Sequence, residues 1–417
     1  MSFAELGLSK PITEAISEMG YTSPTPIQAQ SIPAILQGKD VLAAAQTGTG
    51  KTAAFVLPIL EQLRSQPRAS NKEVKALIIT PTRELAAQID ANVKAYAKHL
   101  KLRHQVVFGG VNIKPQIRQL VLGCDVLTAT PGRLLDLYGQ GMLDLSKLQI
   151  LVLDEADRML DMGFIHDIRK LIKLLPKKRQ NLLFSATFAG EIRKLAHGLL
   201  NQPVEVSVDQ ENRTARQVEQ FYTLVDQEQK TSLIKSLIVQ NGWQQVLVFT
   251  RTKHGANRLT QKLEQAKINA AAIHGNKSQN ARVKALEGFK DGSIEVLVAT
   301  DIAARGLDIK QLPQIVNFDL PNVAEDYVHR IGRTGRAGES GTAYSLVSQD
   351  QLPHLQDIEK FTKSKLNVLE IDGFKASFSR SAKTPAATRQ APRRQSKPQQ
   401  QRSGKPARPR QTQRQER

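Results

Sequence analysis

The stretch "AQTGTGKT" (45–52) has the residue types of a phosphate-binding loop. It follows the strand-like "DVLAAA" and precedes the helix-like "TAAFVLPILEQL", which is the context that such a loop requires. Gly48 and Gly50 would let backbone N–H groups wrap phosphates, Lys51 would reach the β and γ phosphates, and Thr52 would hold Mg²⁺. The general pattern begins with glycine where this chain has Ala45, so a Gly/Thr-rich loop with a chance lysine stays open at this point.

A pair of acids follows a second apolar run, in "LVLDEADRML". Asp154 ends the run and could hold Mg²⁺ through water, while Glu155 could position and deprotonate an attacking water. Acids are also favoured at a solvated helix N-terminus, so the pair alone is weak evidence. Together with Lys51 in the same expected domain, it predicts hydrolysis of a nucleoside triphosphate.

Apolar runs that alternate with amphipathic segments would position these residues. Continuous apolar strands between helices predict parallel sheets covered on both faces. Many of the runs end in Thr, Ser or Asp, and ligands bind outside the carboxyl ends of strands in open α/β sheets. The candidate strands form two sets, which predict two α/β domains: 74–80, 125–130, 148–154 and 181–187, then 245–250, 269–275, 295–300 and 314–319.

The charge of the chain predicts a polyanionic partner. The formal net charge is +20 over 417 residues. Residues 375–417 contain 13 Lys or Arg and one Glu, and from residue 383 onward there is no Val, Ile, Leu, Met or aromatic residue. This tail cannot bury a core and is predicted to be disordered. It would act either as a solubilising extension or as a sequence-tolerant RNA tether that works by counterion release.

Composition excludes several other classes. The single cysteine, Cys124, rules out a disulfide within the chain and fits a reducing compartment. The eight histidines are scattered without ligand spacing, which argues against chemistry by a protein-held metal alone. No apolar leader follows Met1 and no run is long enough to span a membrane, so we expect a cytoplasmic protein with no membrane partner.

Seven motifs in order carry a resemblance to a known family. The motifs are "AQTGTGKT", "PTREL", "TPGR", "DEAD", "SAT", "TDIAARGLD" and "HRIGRTGR". Over residues 1–372 the chain resembles the DEAD-box ATP-dependent RNA helicases, and "LDMGFIHDIRK" and "VLVFTRTKHGAN" suggest the bacterial RhlE group. Ala at position 45 is normal in this family. The resemblance implies two RecA-like domains, at 1–207 and 218–372, joined by a linker at 208–217 and followed by a tail at 373–417.

The resemblance also implies an ATP site with Mg²⁺. "GYTSPTPIQ" resembles the Q motif, in which Gln28 would hydrogen-bond the adenine edge and so select ATP. Tyr21 and Phe3 would pack near the base, and ordinary core packing is the alternative for Phe3. Asp308 would bind the ribose. The phosphate loop would comprise Ala45, Gln46, Thr47, Gly48, Thr49, Gly50, Lys51 and Thr52, with Mg²⁺ held by Thr52 and, through water, by Asp154.

A set of small hydroxyls, glycines and basic residues would hold the RNA backbone. Such groups suit phosphate and sugar contact rather than base readout, so little sequence preference follows. For each threonine, a structural role at a strand end is the alternative. The set comprises Pro81, Thr82, Arg83, Gly110, Thr130 and Arg133 in the first domain, and Thr250, Arg251, Gly275, Gln279, Arg282 and Thr300 in the second.

The arginines of "HRIGRTGR" would complete the ATP site from the second domain. Arg333 and Arg336 would act as arginine fingers on the γ-phosphate when the domains close, since the planar guanidinium matches phosphate oxygens. A surface turn that binds RNA directly is the alternative reading of this segment. Coupling between the ATP and RNA sites is assigned by the resemblance to Asp157, Ser185, Thr187 and His329.

These inferences predict an RNA-stimulated ATPase that unwinds or remodels short RNA duplexes or ribonucleoproteins. Single-stranded RNA and short duplexes would be its partners, and we expect a monomeric core. Ribosome assembly and RNA decay both stay open as pathways. Two rivals remain: a DNA translocase of the same superfamily, and a non-enzymatic basic protein that binds or anneals RNA through its tail.

Overall fold

The computed structural model describes residues 1–45, 48–186, 188, 190–208, 218–304, 309, 312–334 and 341–380. Several predictions fall outside these residues: the roles of Gln46, Thr47, Thr187, Asp308 and Arg336, the linker from residue 209 to 217, and the tail from residue 381. None of the described helices combines the length and the apolar character that crossing a membrane requires.

The first lobe, defined here as residues 1–208, is built on a parallel sheet. Its strands are β1 (Val41–Ala44), β2 (Val74–Ile79), β3 (His104–Val107), β4 (Cys124–Ala129), β5 (Ile150–Leu153), β6 (Gln180–Ser185) and β7 (Val204–Ser207). Its helices are α1 (Lys10–Glu18), α2 (Pro26–Leu36), α3 (Lys51–Leu63), α4 (Arg83–Tyr96), α5 (Ile113–Leu120), α6 (Pro131–Gly139), α7 (Ala156–Asp161), α8 (Ile165–Leu174) and α9 (Gly190–Leu199).

The second lobe, residues 218–380, has the same plan. Its strands are β8 (Val218–Leu224), β9 (Val246–Phe249), β10 (Ala270–Ile273), β11 (Val296–Ala299), β12 (Gln314–Asn317), β13 (Gly341–Val347) and β14 (Asn367–Val368). Its helices are α10 (Lys230–Gln240), α11 (Lys253–Glu264), α12 (Gln279–Lys290), α13 (Asp301–Ala304), α14 (Ala324–Ile331) and α15 (Leu352–Thr362), with a 3₁₀ turn at Gln349–Gln351.

The two sheets share one strand order. The first runs β3-β4-β2-β5-β6-β1-β7 and the second runs β10-β11-β9-β12-β13-β8-β14, which is the same order when each lobe is counted from its first strand. The pairings within both sheets are parallel, as in β1 with β6 and in β9 with β11. The carboxyl ends of all strands in a sheet therefore lie at one edge, where loops can build a site. The prediction of two parallel α/β sheets is confirmed.

Apolar burial on both faces explains why these segments form central strands. Strands β2, β4, β5 and β6 are buried along their whole length. One apolar cluster, which includes Phe55 and Phe184, packs on one face of the first sheet, and a second cluster, which includes Leu127 and Leu151, packs on the other. All eight strand segments predicted from apolar runs correspond to observed strands, with ends that differ by one or two residues.

The packed part of the second lobe extends beyond the predicted boundary at residue 372. Residues of β14 pair with β8, and the Ser377 backbone N–H and hydroxyl donate hydrogen bonds to Asp226. Arg380 donates to the Tyr222 hydroxyl at 3.0 Å and pairs with Glu359. The side chains of the chain therefore have partners on the second lobe as far as Arg380, and the residue at which the tail begins stays a prediction.

Arg330 holds the second lobe together at the carboxyl edge of its sheet. Its side chain is 2% exposed and forms a bidentate pair with Asp301, at 2.6 and 2.8 Å. It also donates to Asn317 Oδ1 at 3.0 Å and to the Asp319 carbonyl, and it stacks on the Phe249 ring at 4.9 Å. This arginine of "HRIGRTGR" is thus a structural residue that joins β9, β12, α13 and α14.

We predict that Arg330→Met lowers the free energy of unfolding of the second lobe by about 3 kcal/mol or more, because the change leaves Asp301 and Asn317 without their buried partner. The chain's single tryptophan, Trp243, is 8% exposed and packs on Tyr344 in this lobe, so its fluorescence during urea titration reports the change. Arg258→Met, at an exposed position of the same lobe, is the control and should unfold like the parent. Equal midpoints for both variants would contradict the assignment.

Candidate active site and nucleic-acid cleft

The phosphate loop places a buried ammonium group at the start of a helix. Strand β1 ends at Ala44 and α3 begins at Lys51. Gly50 has a φ of 93°, and a Cβ at this position would overlap the Gln28 side chain, so only glycine fits. Lys51 is 6% exposed, and within the described part of the chain its Nζ has no hydrogen-bond partner. A buried cation at a helix N-terminus is a site for an anion.

The two acids lie at the end of β5, beside this loop. Asp154 is 3% exposed and Glu155 is 7% exposed, and the Glu155 N–H donates to Asp154 Oδ1 at 3.0 Å. Glu155 has a φ of 51°, a strained conformation for a residue with a side chain. Burial raises the pKa of Asp154 to about 7, although the charge of Lys51 acts in the opposite direction. A divalent cation would offset the cost of ionising this carboxyl.

The donor set fits Mg²⁺ bound together with a nucleotide. Among the described residues no group of three or more His, Cys, Asp and Glu could hold a metal by itself. Mg²⁺ is commonly bound by one or two protein oxygens, with phosphates and waters completing its octahedron. Asp154 and the Thr52 hydroxyl, which follows Lys51 at the start of α3, are the residues that would contribute here.

The two lobes together enclose a small chamber next to Lys51. Its volume is about 20 Å³, which is enough for one ordered water. The residues that line this chamber are Lys51, Glu155, Asp157, Arg158 and Ala186 from the first lobe, with His329 and Arg333 from the second. The structure therefore brings four of the predicted catalytic and coupling residues, Lys51, Glu155, Asp157 and His329, to the same cavity as Arg333.

The predicted coupling residues of the first lobe connect β6 to the phosphate loop. The Ala186 N–H donates to Asp157 Oδ1 at 3.4 Å, and the Ser185 carbonyl accepts from the Ala45 N–H at 3.0 Å. Ser185 is fully buried at the carboxyl end of β6. A shift of β6 relative to α7 would therefore also displace the start of the phosphate loop.

Gln28, one of the predicted adenine-binding residues, contacts the phosphate loop. Gln28 is 3% exposed; its Oε1 accepts from the Thr25 N–H at 2.9 Å and its Nε2 donates to the Gly50 carbonyl at 3.1 Å. The Tyr21 and Tyr96 hydroxyls are 2.9 Å apart, and Phe3 stacks on Tyr21 with its ring 6% exposed. Gln28 therefore ties the start of α2 to the loop, and the contact with adenine stays a prediction.

A larger cleft of about 490 Å³ lies between the lobes, away from the chamber. Most of the predicted RNA-binding residues of the first lobe line it, together with two of the second. The lining residues are Pro81, Thr82, Arg83, Glu84, Gly109, Thr130, Gly132, Arg133, Asp136, Met162 and Phe164 from the first lobe, and Gly275, Arg282 and Ile302 from the second.

The other predicted RNA-binding residues do not line this cleft. Gly110, with a φ of 78°, lies behind Arg83, whose guanidinium occupies the space that a Cβ would need. Thr250 is fully buried and its hydroxyl donates to the Thr252 carbonyl at 3.3 Å, whereas Arg251 is exposed beyond the end of β9. Thr300 is 8% exposed and precedes α13. For Thr250 the contacts are those of a strand-end residue.

Gln279 and Arg282 contact the first lobe. Gln279 Nε2 and Arg282 Nη2 each donate to a different carboxylate oxygen of Glu84 at 2.8 Å. The side chains of Glu84 and Arg282 are 7% and 9% exposed, so this ion pair is sheltered from water. The sequence pattern "PTREL", which contains Glu84, predicted only an RNA contact. The spacing of Gln279 and Arg282 on one helical turn indicates that these two side chains can share a partner. Glu84 is a residue that the sequence analysis missed.

Arg158 and three apolar residues of the cleft were missed as well. Arg158 directly follows the "DEAD" motif and lines the chamber. Met162, Phe164 and Ile302 line the cleft, and Ile302 is 50% exposed there. No pattern of charge or spacing in a sequence distinguishes such apolar residues from core residues. Only the tertiary structure shows that these three residues lie at the cleft.

Comparison with known sequences supports the motif assignments. Residues 25–195 match the DEAD/DEAH box helicase family, and residues 229–338 match the helicase conserved C-terminal domain. DEAD-box ATP-dependent RNA helicase CshA of Geobacillus kaustophilus is 43% identical over 365 residues, which cover 88% of this chain and 77% of that protein. ATP-dependent RNA helicase RhlB of Pseudomonas syringae pv. tomato is 43% identical over 371 residues, which cover 88% of this chain and 94% of the relative.

Solved structures match both lobes at once. S. cerevisiae Dbp5 bound to RNA and ADP BeF3 aligns with a TM-score of 0.80 and 32% identity, over 88% of this chain and 95% of that one. Mss116p (NTE and C-tail double deletion) bound to ssRNA and AMP-PNP aligns with a TM-score of 0.79 and 29% identity, over 88% of this chain and 79% of that one. Both of those structures contain RNA and a nucleotide analogue.

We predict that Glu84→Gln shifts the lobes toward separation. A charge-assisted hydrogen bond contributes about 1.5–3 kcal/mol, so the ratio of closed to open molecules should fall about tenfold or more. The measurement is energy transfer between dyes on one engineered cysteine in each lobe, since the native Cys124 is buried.

The matched control is Glu191→Gln, which alters an exposed carboxylate paired with Lys194 on the first lobe. The exchanged pair Glu84→Arg with Arg282→Glu should recover part of the closed population. Unchanged energy transfer in Glu84→Gln would show that the pair does not hold the lobes together.

Proposed function

The chain belongs to the family of DEAD-box ATP-dependent RNA helicases, and on that basis we propose that it couples binding and hydrolysis of ATP to local unwinding or remodelling of RNA with little sequence preference. The observation that carries this proposal is the chamber, where Lys51 and Glu155 of the first lobe meet His329 and Arg333 of the second. A catalytic site of this kind is complete only while the lobes are closed. The narrower resemblance to the RhlE group stays a prediction.

In the proposed mechanism, Lys51 binds the β and γ phosphates, and the buried Glu155 orients the attacking water and takes its proton. Arg333 neutralises charge that develops on the transferred phosphoryl group, and Arg336 would add a second guanidinium from the same segment. Mg²⁺, held by Thr52 and Asp154, would supply charge neutralisation at the phosphate oxygens. Gln28, Tyr21, Phe3 and Asp308 would position adenine and ribose.

RNA would bind in the cleft through its backbone. Arg83, Arg133, Thr82 and Thr130 present donors to phosphates there, and no donor pattern for reading bases is evident among the lining residues that the structure describes. Because both lobes line the cleft and the chamber, each ligand favours the closed state that the other requires. Coupling then follows as a shift of population toward closure. The basic tail would add a sequence-tolerant tether.

We predict that single-stranded RNA raises the steady-state ATPase rate of the full chain many-fold at fixed salt, and that DNA of matched sequence does not. RNA stimulates hydrolysis because its binding stabilises the closed lobes. Lys51→Ala, which removes the phosphate-binding ammonium, should abolish the stimulated rate and serves as the control for contaminating ATPases. Equal stimulation by DNA would favour a DNA translocase, and indifference to both would favour a non-enzymatic RNA-binding protein.

We further predict that Glu155→Gln accumulates a closed complex with ATP and RNA, whereas Lys51→Ala does not. The amide keeps the shape of Glu155 but cannot take the proton of water, so ATP binds without being cleaved. The measurement is RNA retention in a filter assay with ATP, ADP or no nucleotide. RNA release from Glu155→Gln at the same rate with ATP as with ADP would contradict the role of Glu155.

A further inference from the structure

Arg158 is a buried cation with few close hydrogen-bond partners among the described residues. The residue is 6% exposed, and its Nε and Nη2 atoms lack a hydrogen-bond partner within the described part of the chain. Its recorded ion pair joins Nη1 to Asp161 Oδ2 at 3.6 Å, and the Asp161 side chain is 56% exposed. Removing a guanidinium from water without giving it close partners is unfavourable.

A comparison with Arg330 shows that the role of Arg158 is unlike that of a structural arginine. Both side chains are almost completely buried. Arg330 forms close hydrogen bonds to two carboxylate oxygens, a side-chain amide and a backbone carbonyl, whereas among the described residues Arg158 forms one ion pair, which is long and half-exposed. The Arg158 donors that lack a partner there are suited to a ligand that enters the chamber.

The chamber identifies the ligand class. Arg158 shares its lining with two other cations, Lys51 and Arg333, and with the carboxylates of Glu155 and Asp157. Three positive side chains and two negative ones line the chamber, so it suits an anion. In the proposed ATP hydrolysis, the γ-phosphoryl group bound by Lys51 and the inorganic phosphate that it becomes are the anions that would lie here.

We propose that Arg158 binds the oxygen that the attacking water contributes to inorganic phosphate, an inference that rests on the ATPase function proposed above. The chamber has room for about one water, and Glu155 lines it. In the in-line reaction the water oxygen bonds to the γ-phosphorus, the bond from that phosphorus to the β–γ bridging oxygen breaks, and Glu155 takes a water proton. ADP leaves with the electron pair of the broken bond.

The strength of this contact changes during the reaction. Before attack the oxygen belongs to a neutral water, and after attack it belongs to a phosphate anion. A guanidinium at that position therefore interacts more strongly with the transition state and the product than with bound ATP. Arg158 then acts on turnover and on retention of phosphate, and contributes little to the initial binding of ATP.

The test compares Arg158→Met and Arg158→Lys with the parent chain in RNA-stimulated ATPase assays. We expect Arg158→Met to lower kcat by about a hundredfold to a thousandfold, the range for loss of one donor that stabilises a developing charge, while the KM for ATP stays within about twofold. Inhibition by added inorganic phosphate should weaken by at least about tenfold in Arg158→Met, because the product loses its cation. Arg158→Lys keeps the charge and should restore part of both properties.

Two control variants separate this role from structural ones. Asp161→Asn removes the exposed partner of Arg158, and Arg169→Met removes an exposed arginine from the neighbouring helix α8. Both should keep the parental kcat and the parental inhibition by phosphate. Thermal unfolding, monitored by circular dichroism, verifies that each variant is folded. If Arg158→Met does not fold, the comparison of Arg158→Lys with the parent chain is the test.

The outcomes distinguish this inference from the function on which it rests. A parent chain without RNA-stimulated ATPase would refute the proposed function. A stimulated parent with an Arg158→Met variant that matches Arg169→Met in kcat and in phosphate inhibition would overturn the inference alone. So would an Arg158→Met variant with a raised KM and parental phosphate inhibition, since that result places the contact in the ground state.

Discussion

The site depends on the positively charged side chains that line the chamber between the two lobes. Lys51, Arg158 and Arg333 line one small chamber, and Lys51 Nζ is buried without a hydrogen-bond partner in the part of the chain described. A buried ammonium without a hydrogen-bond partner, such as that of Lys51, is unfavourable until an anion joins it. In the proposed function the phosphates of ATP supply that anion, so closing the lobes and binding ATP would be parts of one equilibrium.

The contact between Glu84 and Arg282 has a complementary role at the cleft. It joins the lobes with a sheltered ion pair at 2.8 Å, among residues that would also face RNA. The shared strand order of the two sheets makes this possible, since each sheet presents its loops at the carboxyl edge. The groups predicted to bind phosphates and those predicted to bind RNA thus lie on the same pair of facing edges, and closure would organise both.

The accuracy of the sequence predictions follows the burial of each element. Central strands such as β4 and β5 are buried throughout, and their unbroken apolar runs revealed them. Strands β3, β7 and β14 at the sheet edges are partly exposed, and β8 and β13 alternate buried with less buried residues. Such strands resemble loops in composition, because half of their side chains need no apolar environment.

The site residues also differ in how far the sequence alone could identify them. Lys51, Asp154 and Glu155 were predictable because a loop and a strand end place them locally, with a spacing that reflects phosphate chemistry. Gln279 and Arg282 were predicted to bind RNA from the family resemblance, and the structure pairs both with Glu84. Their spacing on one helical turn indicates that they can share a partner, but it does not identify a partner that lies far away in the chain.

By itself, the sequence determined the two parallel sheets, the phosphate loop with its acids, and the family resemblance that the comparisons confirmed. These features depend on local periodicity and on short motifs, in which neighbouring residues act together. Only the tertiary structure decided that Arg330 is structural while Arg158 and Arg333 face the chamber. The three arginine side chains are chemically identical and differ only in the groups that surround them. Those groups come from distant parts of the chain, and the packing of whole helices and strands brings them together.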